Sequence, residues 1–211
     1  VARLEVEGPD GEPTRLDDAE IAGFGALLGG AGAETVTKAL GNAAVLFDAS
    51  PEQWAEVVAE PALLPGAIEE VLRYHPPSQY QGRPATRDVE LHGVTIPAGS
   101  PVLLLTGAAT HDPRAFDEPD RFDIHRTPSL QLGFGHGVHS CLGAALARLE
   151  CRVALEELAR VAPRFSVDRD GLRRVQMINV AGYSHVPLRV GCPPARTDHQ
   201  GEPTTWPTTS S

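Results

Sequence analysis

No run of about 18 consecutive apolar residues occurs in the 211-residue sequence, so it offers no membrane-spanning helix, and no signal-peptide pattern opens it. Cysteine is scarce. Cys141, Cys151 and Cys192 are an odd number without the spacing of a disulfide framework, which suits a reducing cytosol. Positive charge is in deficit as well: 18 Lys and Arg stand against 28 Asp and Glu, and the formal net charge of -10 argues against a nucleic-acid partner. There is no internal repeat, no glycine-rich phosphate loop and no Ser-His-Asp spacing with local support. What is present is ordinary for a globular protein, with 41% hydrophobic and 22% charged residues, and the length suffices for one large domain with a real core.

The chain is organised around Leu132-Gly133-Phe134-Gly135-His136-Gly137-Val138-His139-Ser140-Cys141-Leu142-Gly143. Its closely spaced glycines let the backbone turn tightly against something flat, and they are expected to deliver one cysteine to the first turn of a helix. The N–H groups of Leu142, Gly143 and Ala144 are expected to point back at the sulfur and favour thiolate over thiol. Two other roles exist for such a residue. A lone cysteine in a turn is often a small buried hydrophobe. Zinc would use His136, His139 and Cys141, but neither a Cys-x-x-Cys nor a second His pair supplies a fourth ligand.

Elsewhere, residues 1–15 read as a loop or short hairpin. Asp17 as N-cap, with Glu20 three residues on, predicts a long helix to about Phe47 despite Gly23, Gly25, Gly29, Gly30 and Gly32. Such glycines fit a helix that a large flat body or another backbone must approach closely. Ser50-Pro51-Glu52-Gln53 predicts a capping box and a short helix to about Glu60, and Pro65–His75 predicts a third, stopped by Pro76-Pro77. Glu70 and Arg73 share one face of it. Short strands are expected at Val89–Leu91, Val94–Ile96 and Val102–Leu105 in one small antiparallel sheet, followed by an irregular meander to Phe122. After Cys141 a helix to about Arg160 is expected to bury Leu142, Ala145, Leu146, Leu149, Val153 and Leu158, with Cys151 a core or helix-surface thiol. Gly171–Val190 reads as a terminal hairpin, and residues 192–211 as a disordered tail.

Phe134, Gly137, His139, Cys141 and Gly143 fit F-x-x-G-x-H-x-C-x-G, and with Ala31-Gly32-Ala33-Glu34-Thr35, Glu70-x-x-Arg73 and Pro119-Asp120-Arg121-Phe122 the chain resembles the cytochrome P-450 family, in its soluble bacterial branch. The resemblance covers residues 14–191. It implies a mainly α fold with a small antiparallel β-subregion, the C-terminal, haem-binding half of that fold, with a half-domain at 16–191. Members of the family are much longer, so an N-terminal half is expected beyond Val1. By resemblance Cys141 is the proximal thiolate on the iron of haem b, Phe134 shields the sulfur, His139 and Arg83 reach haem propionates, and Gly32, Gly137 and Gly143 lie against the cofactor. Glu34 and Thr35 would relay protons, Thr35 opening the helix by bonding a carbonyl one turn back. Glu70, Arg73 and Arg121 would form a buried charge network. Ala31, Ser78, Gln79, Tyr80, Met177 and Ile178 would contact substrate, with Gln176 and Asn179 adding polar recognition. Val36 departs from the family pattern, which often has a second hydroxyl there, and His111 stands where arginine is frequent.

The implied reaction inserts one oxygen atom from O2 into a small organic substrate, with electrons from NAD(P)H arriving through ferredoxin and ferredoxin reductase in the cytoplasm. Arg148 and Arg152 are candidates for facing an acidic electron donor. Two rival readings stand beside it: a truncated, catalytically incompetent fragment that at most binds haem, and an interaction domain that keeps the fold without the cofactor.

Overall fold

The computed structural model describes residues 5–8, 10–127 and 130–191, so the expected tail from Cys192 lies outside the described residues. The N-terminal segment forms the short-hairpin alternative, β1 (Glu5–Glu7) pairing antiparallel with β2 (Pro13–Arg15). Asp17 then starts the longest element. Its carboxylate accepts from the Glu20 N–H at 2.8 Å, and the Glu20 carboxylate accepts from the Asp17 N–H at 2.8 Å. This reciprocal cap opens α1 (Asp18–Ala49), 32 residues that end two past the expected stop.

Only the second half of α1 enters the core. Ala39, Asn42, Ala43, Leu46 and Phe47 are buried, whereas every residue from Ala22 to Glu34 is exposed. The buried half packs on α2 (Pro51–Ala59), α3 (Leu64–Tyr74) and α5 (Ala144–Val161). Aromatic rings lock the join: Phe47 lies 4.9 Å from Trp54 and 5.8 Å from Phe122, and Trp54 meets Phe165 edge-on at 5.4 Å. The Trp54 indole N–H donates to the Ala162 carbonyl at 3.3 Å, so the ring is buried without a lost hydrogen bond. At the start of α2 the predicted capping box does not form. The Ser50 carbonyl, not its hydroxyl, accepts from the Gln53 and Trp54 N–H groups, and the Gln53 side chain, which would return the bond, is engaged with Phe122 and Ile124.

Between the helices lie β3 (Gln81–Pro84), β4 (Val89–Leu91), β5 (Val94–Ile96), β6 (Pro101–Leu104) and the single-turn α4 (Thr106–Ala109). After α5 come β7 (Phe165–Val167), β8 (Arg173–Arg174), β9 (Tyr183–His185) and β10 (Leu188–Val190). The expected three-stranded sheet is two separate ladders: β4 pairs with β5, while β6 turns away to pair with β3. The physical reason is the turn at Pro97–Ser100, whose Gly99 N–H donates to the Ala85 carbonyl and whose Ser100 carbonyl accepts from Ala85. The expected terminal hairpin is likewise divided. A register shift between Arg173 and Arg174 interrupts the short β8–β9 ladder, and β10 returns to β7.

One packing expectation is reversed. Leu142, Leu146, Leu149 and Val153 are exposed, Leu142 by 80%, although their spacing suggested a buried stripe. The face of α5 turned to α1 and α3 carries Cys151 and Leu155. Cys151 lies two residues and so about 200° round the helix from Leu149. The helix therefore has two apolar faces, only one of which the described residues cover. Among the described residues no helix is long and apolar enough to cross a membrane.

Candidate active site

The cysteine loop rests on a buried charged brace. Arg73 and Glu70 are both 0% exposed, and the guanidinium grips the carboxylate with Nε at 2.7 Å and Nη2 at 2.8 Å. Its remaining N–H groups donate to the carbonyls of Thr110 (2.8 Å), Pro119 (2.9 Å) and Arg121 (3.3 Å). One side chain thus pins three points of the meander to α3. The expected third member is corrected: the Arg121 side chain is 59% exposed, pairs with Glu118 and Asp123, and gives the brace only its carbonyl. Arg126 is the second cation, its Nε 3.4 Å from Glu70 and its Nη groups donating to the Asp117, Glu118 and Arg121 carbonyls. Gln53 clamps the same segment through the Phe122 carbonyl and the Ile124 N–H. His111 bridges the Asp120 carboxylate (2.8 Å) and the Tyr74 carbonyl (2.9 Å).

From this brace the chain reaches the cysteine. At Gly133 an added Cβ would lie 2.9 Å from the Leu72 carbonyl oxygen, so only glycine lets the loop cross α3 so closely. Gln131 guides the crossing, donating to the Glu69 carbonyl and accepting from the Gly133 N–H. Gly135, at φ +74°, turns the backbone, and the Cys141 N–H donates to the Phe134 carbonyl at 2.8 Å. The result is a fixed loop presenting an exposed, free thiol.

The predicted relation between that thiol and the helix is wrong in register. Gly143 is the N-cap and α5 begins at Ala144, so Cys141 precedes the first turn. The Ala144 N–H donates to the Cys141 carbonyl at 3.3 Å and is not free for the sulfur. A cation stands nearby instead. Arg148 lies 4.5 Å over the Phe134 ring and forks onto the Glu69 carboxylate. That hydrogen bond chiefly holds the guanidinium above its ordinary pKa, with smaller contributions from the charges of Glu69 and Cys141. Arg148 and Arg152, read as candidates for facing an electron donor, are paired with Glu69 and Glu156. Cys151 is buried in the core, and burial pushes its thiol up to about 11, so it stays protonated and inert.

Gly137 and His139 form one exposed tight turn beside the cysteine. Among the described residues, an added Cβ at Gly137 or Gly143 would meet nothing within 4 Å beyond its own chain neighbours, and the same holds, outside the helix's own backbone, for Gly32 and the other four glycines of the free half of α1. On that half the Thr35 hydroxyl donates to the Ala31 carbonyl at 3.0 Å, yet α1 runs on without a break. Glu34 pairs with Lys38 at 2.9 Å, and Lys38 is only 8% exposed. The i,i+4 charge rule makes that partner readable from sequence. Arg126 and Gln53 carry no such local signal.

Ser78 bridges Val180, the Gln79 N–H donates to the Asn179 carbonyl at 2.9 Å, and the Ala181 N–H donates to the Pro77 carbonyl at 2.8 Å. The two stretches named as substrate-contacting are thus neighbours. Between them opens a concavity of about 380 Å³ lined by Gln79, Met177 and Ile178 among others. Tyr80 is half-buried beside it in sequence. Arg83 lies on β3 with its Nη1 donating to the Gly82 carbonyl at 2.7 Å.

Among the described residues no three His, Cys, Asp or Glu side chains converge on one point. A lone sulfur donor suits a metal that arrives with its other ligands. The exposed thiol, the adjacent exposed Val138 and Leu142, and the uncontacted glycines fit a flat macrocycle of that kind.

Comparison with known proteins gives a consistent result. The sequence model described as Cytochrome P450 matches residues 54–182. The chain is 43% identical over 201 residues to the erythromycin C-12 hydroxylase of Saccharopolyspora erythraea, covering 93% of this chain and 50% of that protein. It is 42% identical over 156 residues to the biotin biosynthesis cytochrome P450 of Bacillus subtilis, covering 74% of this chain and 40% of that protein. Among solved structures, the open cytochrome P450 Eryk from S. erythraea superposes with a TM-score of 0.83 at 43% identity, over 93% of this chain and 49% of that one. The corticosterone complex of CYP109E1 from Bacillus megaterium superposes with a TM-score of 0.80 at 35% identity, over 88% and 50%. The chain spans half or less of the length of each of these relatives and solved structures.

Proposed function

The chain belongs to the cytochrome P450 family, and on that premise we propose that it is the haem-binding half of a haem-thiolate monooxygenase, which inserts one atom of O2 into a small organic substrate. Electrons would come from NAD(P)H through ferredoxin and its reductase, in the cytoplasm. The observation that carries this proposal is the exposed Cys141 thiol, on a loop whose Cys141 N–H is fixed to the Phe134 carbonyl and which only glycine at 133 lets past α3.

When bound, haem b supplies the oxygen-activating chemistry, tuned by its sulfur ligand. Cys141 would be that ligand, Phe134 would cover one side of the sulfur, and Arg148 would lend positive charge through the stack. His139 and Arg83 would meet the propionates, with Gly32, Gly137 and Gly143 giving backbone-level clearance. Glu34 and Thr35 would hold and pass protons, Thr35 through an Oγ already bonded to the Ala31 carbonyl. Ser78, Gln79, Tyr80, Met177 and Ile178, with Ala31, would orient the substrate and exclude water.

The test is haem titration of the purified 211-residue chain, then reduction under CO and an absorption spectrum, with Cys141→Ala alongside. A thiolate-type Soret band abolished by the substitution is expected; haem uptake with an unchanged spectrum in Cys141→Ala would remove Cys141 as ligand. A second outcome, haem binding without turnover, is favoured by the uncovered Leu142, Leu146, Leu149 and Val153 face. It predicts the Soret band with no substrate oxidation when electrons are supplied chemically.

A further inference from the structure

The concavity between the 76–83 and 175–182 stretches holds one feature that a purely apolar site does not need. Val175, Met177, Ile178 and Val180 give it an aliphatic lining, and Arg174 is the only charged residue among the described residues that line it. Gln79, the other polar side chain there, donates its amide to the Pro76 carbonyl at 2.6 Å. The Arg174 guanidinium is placed from one side by Tyr183, its carbon 5.2 Å from the ring centre and its Nη2 3.3 Å from the hydroxyl. No carboxylate pairs with it among the described residues, in a chain where acidic side chains outnumber basic ones, 28 to 18. Its field is felt inward: after burial it is the largest cause that lowers the His75 pKa. The walls are fixed beforehand by the Ser78–Val180 bridge and the hydrogen bonds of Gln79 and Ala181, so little ordering is needed to fill the site.

We propose that this concavity takes an amphiphile with an anionic head, a carboxylate on an aliphatic chain, and that Arg174 is the residue that sets this preference. The proposal rests on reading the two stretches as substrate-contacting. The carboxylate sits on the open edge of the guanidinium, opposite Tyr183, and the aliphatic chain lies along Val175, Met177 and Val180. A neutral alcohol of the same length keeps the apolar contacts and loses the charge-assisted hydrogen bond.

Met177 is the sequence's single methionine, which supplies a probe inside the site. The 211-residue chain labelled with methyl-¹³C methionine is titrated with decanoate and with decan-1-ol, following the Met177 methyl resonance, which Met177→Leu assigns. Decanoate is expected to shift it saturably and to bind about tenfold more tightly than the alcohol, as a charge-assisted hydrogen bond requires. Arg174→Gln should remove the difference, Arg174→Lys should keep part of it, and Arg87→Gln, away from the concavity lining, should leave it intact. Equal binding of acid and alcohol, a preference that survives Arg174→Gln, or no saturable shift with decanoate would each overturn the assignment. None of these readouts needs haem, so failure here and failure of the Cys141 spectrum are separate results.

Discussion

Replacing Arg73 by lysine keeps the charge and removes the fork, and the structure sets the expected cost. Arg73 makes five hydrogen bonds, two to Glu70 and one each to the Thr110, Pro119 and Arg121 carbonyls. A lysine ammonium is one point with three donors, so it cannot reach both carboxylate oxygens and three carbonyls that lie in different directions. The Arg121 carbonyl keeps Arg126 and one Glu70 oxygen keeps the Asp123 N–H, but the Thr110 and Pro119 carbonyls depend on the fork, and losing one or both at about 1–3 kcal/mol each gives an expected loss of about 3 kcal/mol. Against a typical domain stability of about 5–15 kcal/mol this is a large fraction. Arg73→Met should be worse still, because the Glu70 carboxylate then keeps only Arg126 at 3.4 Å and the Asp123 N–H at 3.0 Å. The assay is denaturant unfolding of the 211-residue chain followed by far-ultraviolet circular dichroism. An Arg73→Lys variant within about 1 kcal/mol of the parent would refute the reasoning, since it would mean the Thr110 and Pro119 carbonyls do not depend on the fork.

Three further outcomes are expected. Arg126→Met should destabilise by about 2–3 kcal/mol and Arg121→Ala by less than about 1 kcal/mol, measured by the same unfolding, because only Arg126 is both shielded and bonded to the meander carbonyls. Burial, then Arg174 and His111, hold the His75 imidazole down at about 4. The unfolded chain therefore takes a proton there below about pH 6.5 while the folded chain does not, so stability falls by about 3 kcal/mol as pH drops from 6.5 to 4. His75→Gln should flatten that part of the stability profile, and an unchanged slope would argue against it. Gly182→Ala places a Cβ 2.6 Å from the Lys38 Cβ at φ +154°, and a loss of about 2–3 kcal/mol is expected by thermal unfolding.

Much of this architecture is legible in the sequence because its signals are local. The Asp17–Glu20 cap, the Pro76-Pro77 stop and the β4–β5 hairpin all follow from residues within a few positions of one another. The errors arise where distant segments decide. Pairing of β6 with β3 depends on a turn that bonds back to Ala85, and the third place in the charged brace goes to Arg126 because the meander folds it inward while Arg121 points out. For α5 the periodicity was real but double. A helix with two apolar stripes does not say which one meets α1 and α3, and the one holding Cys151 and Leu155 does. Cys141 was found by motif, while its place before the N-cap depends on the Gly143 backbone, which no residue pattern specifies.

The division of α1 into an anchored half and a bare half gives one continuous helix two protection regimes. Past Val36 its amides sit over packed Ala39, Ala43 and Phe47, and their exchange with solvent deuterium should require global unfolding. Between Ala22 and Glu34 no side chain is buried, and five glycines cost about 5 kcal/mol relative to alanine. There the backbone bonds should open by fraying from the Asp17 cap inward, independently of the rest. Whatever docks against that half, flat cofactor or further protein, would find a helix partly prepaid by its anchored end, and its occupancy should be readable as a step in exchange rate moving from Thr35 toward Asp18.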